Sequence, residues 1–346
     1  MKVKPTRFIV NFLRMQASGG ILLMAAATVA VICANTSLEH IYEGALHLHL
    51  LAWIPGIDSL GLNLSLLHFI NDGLMAVFFF LVGLELKREI MEGELSNKRN
   101  IMLPIVGAIG GMIIPAVVYA LLNYGDQLAM RGWAIPTATD IAFALGVLAL
   151  LGSKVPYSIK IFLTSLAIFD DLGAVLIIAF FYTKDIAFMP LLAVAVCTAV
   201  LAALNKAGAT RKEPYMLVGF LLWLAMLNSG VHATIAGVVF AMFIPLSSKE
   251  KPNVSLLKRL EHDLHPIVTY VILPIFAFSN AGVSLNGIGA QQILHPVPLG
   301  IALGLFFGKQ VGVLGMCAPA VKIKIAQLPA GINWKNLYGV SILCGI

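Results

Sequence analysis

The chain has 346 residues, of which 59% are hydrophobic and only 12% charged, and its mean hydropathy is +0.92. That composition lies outside the range of soluble domains and excludes a water-soluble enzyme or binding module as the frame for the whole chain. A formal net charge of +6 would suit an anionic partner such as nucleic acid, but the basic residues are sorted along the chain as a membrane sorts them.

A span needs about 20 apolar residues. In chain order the sequence predicts spans over residues 19–34, 66–86, 101–123, 132–151, 161–182, 186–204, 214–228, 230–246, 266–285 and 298–320, with an eleventh that begins near Leu337 and is cut at Ile346. Alternating them from a cytoplasmic N-terminus puts 20 of the 23 Lys and Arg on one side. Only Arg131 and Lys184 fall opposite, and Lys309 lies in the membrane. Such an asymmetry orients the N-terminus inside, and one missed or invented span would invert every later loop. The first span, with Arg14 before it and small residues near Ala34, is short enough to resemble a secretory signal, but the alternation requires that it stay. The fold class expected is an all-α polytopic membrane protein forming a single transmembrane domain.

The outward segment 36–65 is the long connection. Its stretch Leu46-His47-Leu48-His49-Leu50 alternates with period two, and Pro55-Gly56 and Asp58-Ser59 supply turn residues, so a short β-hairpin is expected. His47 and His49 would share a face of that strand, either as a zinc pair or as a solvated edge; no third ligand is spaced with them. Cys33, Cys197, Cys317 and Cys344 are isolated in or beside apolar segments, which predicts packing residues and neither a disulfide framework nor a metal cluster.

Two spans carry interruptions. In the fourth, Trp133-Ala134-Ile135-Pro136-Thr137-Ala138-Thr139-Asp140 puts a proline, two threonines and an aspartate near mid-membrane. Proline removes a backbone donor and disfavours helix in the residue before it, while Thr and Asp cap whatever helix restarts. A broken helix is expected there. The eleventh span carries Gly339 and Gly345 and ends where a break would fall. Irregular backbone at this depth is tolerated only where it is buried in protein or lines a cavity.

Asp170 and Asp171 sit in the middle of the fifth span, Asp140 near the middle of the fourth and Lys309 near the middle of the tenth. An ionisable residue at the centre of a membrane helix costs roughly 2.5–3.5 kcal/mol on insertion scales, so adjacent aspartates read as a site for ions or protons. Helical neighbours point about 100° apart, which forbids Asp170 and Asp171 the same role: one can face a water-filled cavity and bind a hard cation, while the other needs a counter-charge. Lys309 is the basic side chain at that depth, and its proton affinity is tunable by desolvation and by an adjacent carboxylate. A structural ion pair beside a protonated aspartate is the bland alternative; it accounts for neither Asp140 nor the proline-interrupted helix. The functional reading is competition, in which Na+ or Li+ and protons contend for the carboxylates of Asp171 and Asp140 and the oxygen of Thr139.

The strings LVGLELKRE (81–89), ATDIAFALG (138–146), TSLAIFDDLGAVLIIAFFYT (164–183), RLEHDLHP (259–266), LPIFAFSNAGVSL (273–285) and GLFFGK (304–309) resemble the bacterial sodium/proton antiporters of the NhaA family, in order along the chain. That family is itself an example of inverted-topology repeats. The resemblance implies an inverted-repeat bundle in the bacterial inner membrane, with crossed discontinuous helices at the fourth and eleventh spans. It implies export of one Na+ or Li+ against two protons, electrogenic and activated at alkaline pH, with no cofactor beyond the transported ions and with a homodimer joined through the hairpin. Asp171 would be the main cation carboxylate, Asp170 would pair with Lys309, and Asp140 would compensate half-helix dipoles where the broken spans cross. Glu85, Arg88, Glu89, Glu261, His262 and His265 would form a cytoplasmic pH-responsive funnel; an ordinary basic loop is the other reading. Asp72 would line the exit path or cap a helix near the interface. Family chains continue past the position of Ile346, so the last helix or so is expected to be missing here.

Two rivals use the same carboxylates. Intramembrane proteases carry Gly-x-Gly-Asp, and neither Asp140 nor Asp171 follows it, while an Asp-Asp-x-x-Asp diphosphate site would need aspartate at Ala174. A sodium-coupled symporter or cation channel would bind the ion without releasing protons.

Overall fold

The computed structural model describes residues 7–49, 52, 62–93, 98–139, 144, 147–148, 155–183, 187–246, 255–285, 287, 289–329 and 331–345. Among them the chain is helical, and its strand-like pairing is the antiparallel bridge between His49 and Ser65. Helix α1 (Arg7–Ala34) is followed, at a bend of 115°, by α2 (Glu39–Leu46). Then come α3 (Leu66–Glu92), α4 (Lys98–Leu122), α5 (Tyr157–Phe181), α6 (Phe188–Lys206), α7 (Lys212–Leu227) and α8 (Ile235–Phe243). The chain continues through α9 (Leu256–Ile267), α10 (Leu273–Asn280), the short α11 (Ala290–Ile293), α12 (Pro296–Lys322) and α13 (Trp334–Leu343).

Among the described residues five stretches, Leu66–Glu92, Ile101–Leu122, Ser158–Phe181, Phe188–Lys206 and Pro296–Lys322, are long and apolar enough to cross a membrane, and the bent pair of α1 and α2 makes a sixth if it is one span. Helix α6 leaves Phe188, Met189 and Val196 exposed, as a helix apolar on every side does when lipid is its solvent. The chain is an all-α polytopic membrane protein.

Three helical paths contain a π turn, a widening that recurs at functional sites. Phe69–Leu74 of α3 holds Asp72, Val268–Ile272 joins α9 to α10 just after His265, and Gly304–Gly308 of α12 ends directly before Lys309.

The chain divides into two units, one of Met1–Ile21, Ile90–Ile177 and Asn286–Ile346, the other of Leu22–Glu89 and Ile178–Leu285. The first is built on Leu103, Phe162, Leu163, Leu166, Val313, Cys317 and Leu337. Within it α4 and α12 cross at Gly110 and Gly312, where a Cβ on either glycine would overlap the other's carbonyl oxygen. One turn earlier a Cβ on Gly308 would stand 2.8 Å from Pro115 Cα. Small residues let the backbones approach this closely, and Lys309 is carried in on the same helix. The second unit packs Phe80, Leu84, Leu222, Trp223, Ile244 and Leu257, with Phe80 stacked on Phe240 at 4.4 Å between centroids.

In the alternating stretch 46–50 the described residues are divided: Leu46 ends α2 and His47 is its C-cap, while His49 pairs antiparallel with Ser65, supported by the Leu66 N–H donating to the Leu48 carbonyl at 2.8 Å. Tyr42 and Leu46, four residues apart, both bury against Ala30 and Ala34; that helical pair outweighs the two-residue alternation. Pro55-Gly56 and Asp58-Ser59 lie outside the described residues. In the predicted eighth span the helix is only Ile235–Phe243, because Gly230 (φ +81°) turns the chain before it.

Candidate functional site

The fourth span is interrupted where its sequence predicts. A 3-10 turn, Ile135–Thr137, ends at Ala138, whose backbone is extended (φ −79°, ψ 155°), and described helical residues resume at Ala144. Thr139 sits in this break and is buried. Its hydroxyl lies 2.5 Å from Asp170 Oδ2 and 2.9 Å from the Cys344 carbonyl, so its single proton is shared between two acceptors. The C-terminal end of α13 is thereby tied to the break. The N-terminus of α13 is capped in the ordinary way, the Asn333 side chain accepting from the Asn336 N–H.

Lys309 is fully buried and Asp170 is 1% exposed. The ammonium donates to Asp170 Oδ2 at 2.5 Å and to the Thr137 carbonyl at 2.5 Å. The second acceptor lies where the extended Ala138 takes the chain out of helix, at the end of the 3-10 turn. Helix break and buried cation therefore satisfy one another, as burial of a charge requires. Asp170 Oδ1 is buried and accepts no hydrogen bond from the described residues. Asp171, one position on, is only half-buried. The two aspartates thus occupy different environments, as the helical angle between neighbours demands.

The Thr139 hydroxyl, expected in a cation site with Asp171 and Asp140, is bonded to Asp170. Asp140 lies outside the described residues. Among the described residues no group of three or more His, Cys, Asp or Glu is placed to hold a metal ion, His47 and His49 included. Sequence reading missed the carbonyls of Thr137 and Cys344, which carry no side-chain signal, and the Gly304, Gly308 and Gly312 series, whose four-residue spacing is a signal that was there to find.

Five of the six residues of the second expected cluster come together in the other unit. Arg88 Nε donates to Glu261 at 2.9 Å and 3.0 Å, one distance to each carboxylate oxygen, and Arg88 Nη1 lies 2.7 Å from Glu89 Oε1. His265 Nε2 is 3.9 Å from Glu85 Oε1, and its Nδ1 is 3.4 Å from the Thr269 hydroxyl. His262 makes no direct contact with this group, its side chain being 80% exposed and 3.6 Å from Asp263, but it lies within electrostatic reach of His265. Burial is the main force on Glu261 and on His265. It raises the Glu261 carboxyl above its ordinary value against the opposing pull of Arg88, and it lowers His265, which keeps the imidazole neutral near pH 7.

Asp72 borders a cavity of about 480 Å³ that Tyr182 and His232 also line. The Asp72 carbonyl in its π turn accepts from Trp223 Nε1 at 2.9 Å. His232 and His68 are within electrostatic reach of the carboxylate; neither histidine was singled out from sequence.

A helical multi-span membrane protein with a buried ammonium–carboxylate pair at an interrupted helix is the class these features define. The family described as Na+/H+ antiporter 1 matches residues 10–346. Similar chains include the Na(+)/H(+) antiporters NhaA of Campylobacter concisus (54% identical, covering 98% of this chain and 82% of the relative), of Psychrobacter arcticus (54%, 97% and 83%) and of Rhodospirillum rubrum (53%, 99% and 86%). The chain belongs to the Na+/H+ antiporter 1 family.

Proposed function

We propose that this protein is a secondary antiporter that exports Na+ or Li+ in exchange for H+ across the bacterial inner membrane, with its N-terminus in the cytoplasm. The observation that carries the reading is the division of labour between adjacent aspartates: Asp170 is buried on Lys309 and Thr139, while Asp171 beside it keeps partial exposure. A small cation entering at Asp171, with the uncommitted Oδ1 of Asp170 beside it, competes with protons for the same oxygens. Occupancy by one excludes the other. Exchange of one Na+ for two protons moves one net charge per cycle, worth about 2.3 kcal/mol per 100 mV, so a potential negative inside drives sodium out. The relatives' names support Na+ and H+ as the exchanged ions; we further propose the stoichiometry, the electrogenic cycle, alkaline activation through Glu85, Arg88, Glu89, Glu261 and His265, exit past Asp72, a homodimer, and Asp140 as a dipole-compensating carboxylate. Sodium and pH homeostasis is the corresponding cellular role.

The test is proton flux in everted vesicles or proteoliposomes after addition of Na+, Li+ or K+ over a range of pH. Sodium and lithium should collapse the pH gradient, and Asp171→Asn should abolish the response. Sodium uptake without proton release would favour a symporter or channel, and wild-type exchange by Asp171→Asn would overturn the site.

A further inference from the structure

Helix α3 presents two faces at its Glu92 end. Glu85, Arg88 and Glu89 turn to α9, where Arg88 meets Glu261. Lys87 turns elsewhere. Its ammonium donates to the Met242 carbonyl at 2.7 Å and the Ile244 carbonyl at 2.6 Å, at the C-terminal end of α8. The last carbonyls of a helix lack partners within it and carry the negative end of its dipole, so a lysine there is both a donor and a counter-charge. Asn205 Nδ2, from α6, takes the intervening Phe243 carbonyl at 2.5 Å.

Lys87 lies in line with the residues of α3 that pack on α8. A Cβ on Gly83 would come 2.6 Å from Ala241 Cβ, and Phe80 stacks on Phe240. Ala76, Phe80, Gly83 and Lys87 are spaced by four, three and four residues, one helical face. The same end of α8 also receives α9, since the Leu257 N–H donates to the Pro245 carbonyl at 3.2 Å. Both helices that supply the Arg88–Glu261 bond are therefore referenced to one point: α9 by its first turn and α3 by Lys87.

We infer that Lys87 is a positioning residue for the pH response, holding α3 at the end of α8 so that Arg88 stays in register with Glu261. The inference rests on the proposed role of that cluster. Among the described residues the charged groups facing Glu261 are Arg88, Glu89 and Glu85 from α3 and Lys258 on its own helix; His265, one turn away, faces Glu85 and lies within electrostatic reach of His262. Lys249, Glu250 and Lys251 lie outside the described residues. Release of α3 withdraws Arg88 from Glu261, and the carboxylate then loses the neighbour that favours its charged form. Deprotonation moves to higher pH, and activation with it.

The experiment measures sodium-driven proton movement against pH, and apparent sodium affinity at each pH, for Lys87→Ala, Lys87→Gln, Lys87→Arg, Asn205→Ala and Glu261→Gln. Lys87→Ala should move the midpoint of activation to higher pH by half a unit or more, with less than a twofold change in apparent sodium affinity at the plateau. Lys87→Arg, which retains charge and donors, should restore the wild-type profile. Asn205→Ala loosens the end of α8 without releasing α3 and should leave the midpoint in place; a shift equal to that of Lys87→Ala would reduce the effect to general loosening and overturn the inference. Should Lys87→Ala fail to accumulate in the membrane, Lys87→Gln decides by the same criterion. A wild-type midpoint in the lysine variants while Glu261→Gln shifts would overturn the role of Lys87 alone; no shift in Glu261→Gln either would overturn the cluster reading with it.

Discussion

Asp170 and Lys309 are 139 positions apart in the chain and meet with Oδ2 2.5 Å from Nζ, each shut away from solvent. A pair so buried is held by geometry, because the attraction between the charges has to offset the loss of hydration on both. The Thr137 carbonyl and the Thr139 hydroxyl supply the additional hydrogen bonds that make the arrangement tenable.

Removing one partner should be costly. Lys309→Ala leaves a buried carboxylate without its counter-charge and is expected to lower stability by about 3–5 kcal/mol, seen as a large fall in the thermal midpoint in detergent. The double variant Asp170→Asn, Lys309→Met should recover most of that loss while exchange stays impaired. A double variant as unstable as the single one would show that the pair is not what the single substitution exposed.

Thr139→Val keeps the shape of the side chain and removes the hydroxyl that Asp170 and Cys344 share. The expected loss is about 1–3 kcal/mol, the range for a buried acceptor left unsatisfied, together with weaker apparent sodium affinity. Thr139→Ser should retain both properties.

The crossing of α4 and α12 predicts a contrast between two glycines of the same helix. Gly312→Ala drives a methyl into the Gly110 carbonyl, whereas Gly315 has open space beside it. Gly312→Ala should destabilise by about 1–3 kcal/mol, as overpacking does, and should depress exchange because Lys309 lies one turn away. Gly315→Ala should be neutral or slightly stabilising, since alanine is the better helix former. Thermal melts and proton flux on the two variants test the claim.

Stability should depend on pH through α9 with opposite signs at Glu261 and His265. Glu261 is raised above its ordinary 4.5, so the folded state holds its proton more tightly than the unfolded chain. That contribution is full below about pH 4.5 and is lost as pH rises through the raised value. His265 is lowered below its ordinary 6.5, so its contribution is full above about pH 6.5 and is lost as pH falls toward the lowered value. Melting temperature against pH should therefore lose its high-pH decline in Glu261→Gln and its low-pH decline in His265→Asn. Unchanged slopes in both would show that burial does not set these titrations.

Much of this was legible before any coordinates. The excess of apolar residues set the class, and the break at Pro136–Thr139 was readable because proline and short polar side chains act on their own backbone. The angular separation of Asp170 and Asp171 needed only helical geometry. Alternation along 46–50 is a local signal, and it does not tell that Leu46 is taken into α2, because Tyr42 and Leu46 answer to a buried surface provided by α1. His262 and His265, three residues apart, looked equivalent in sequence; one is on the solvent side of α9 and the other faces Glu85.

What the chain determined by itself is therefore what depends on neighbours in sequence: apolar length, the spacing of charges, helix breaks and the directions of adjacent side chains. Tertiary structure decided which groups meet across long separations. It gave Thr139 to Asp170, turned Lys87 away from the charged cluster it adjoins, and enlisted the carbonyls of Thr137 and Cys344. Backbone carbonyls are the same in every residue, and only the fold determines which of them a buried charge finds.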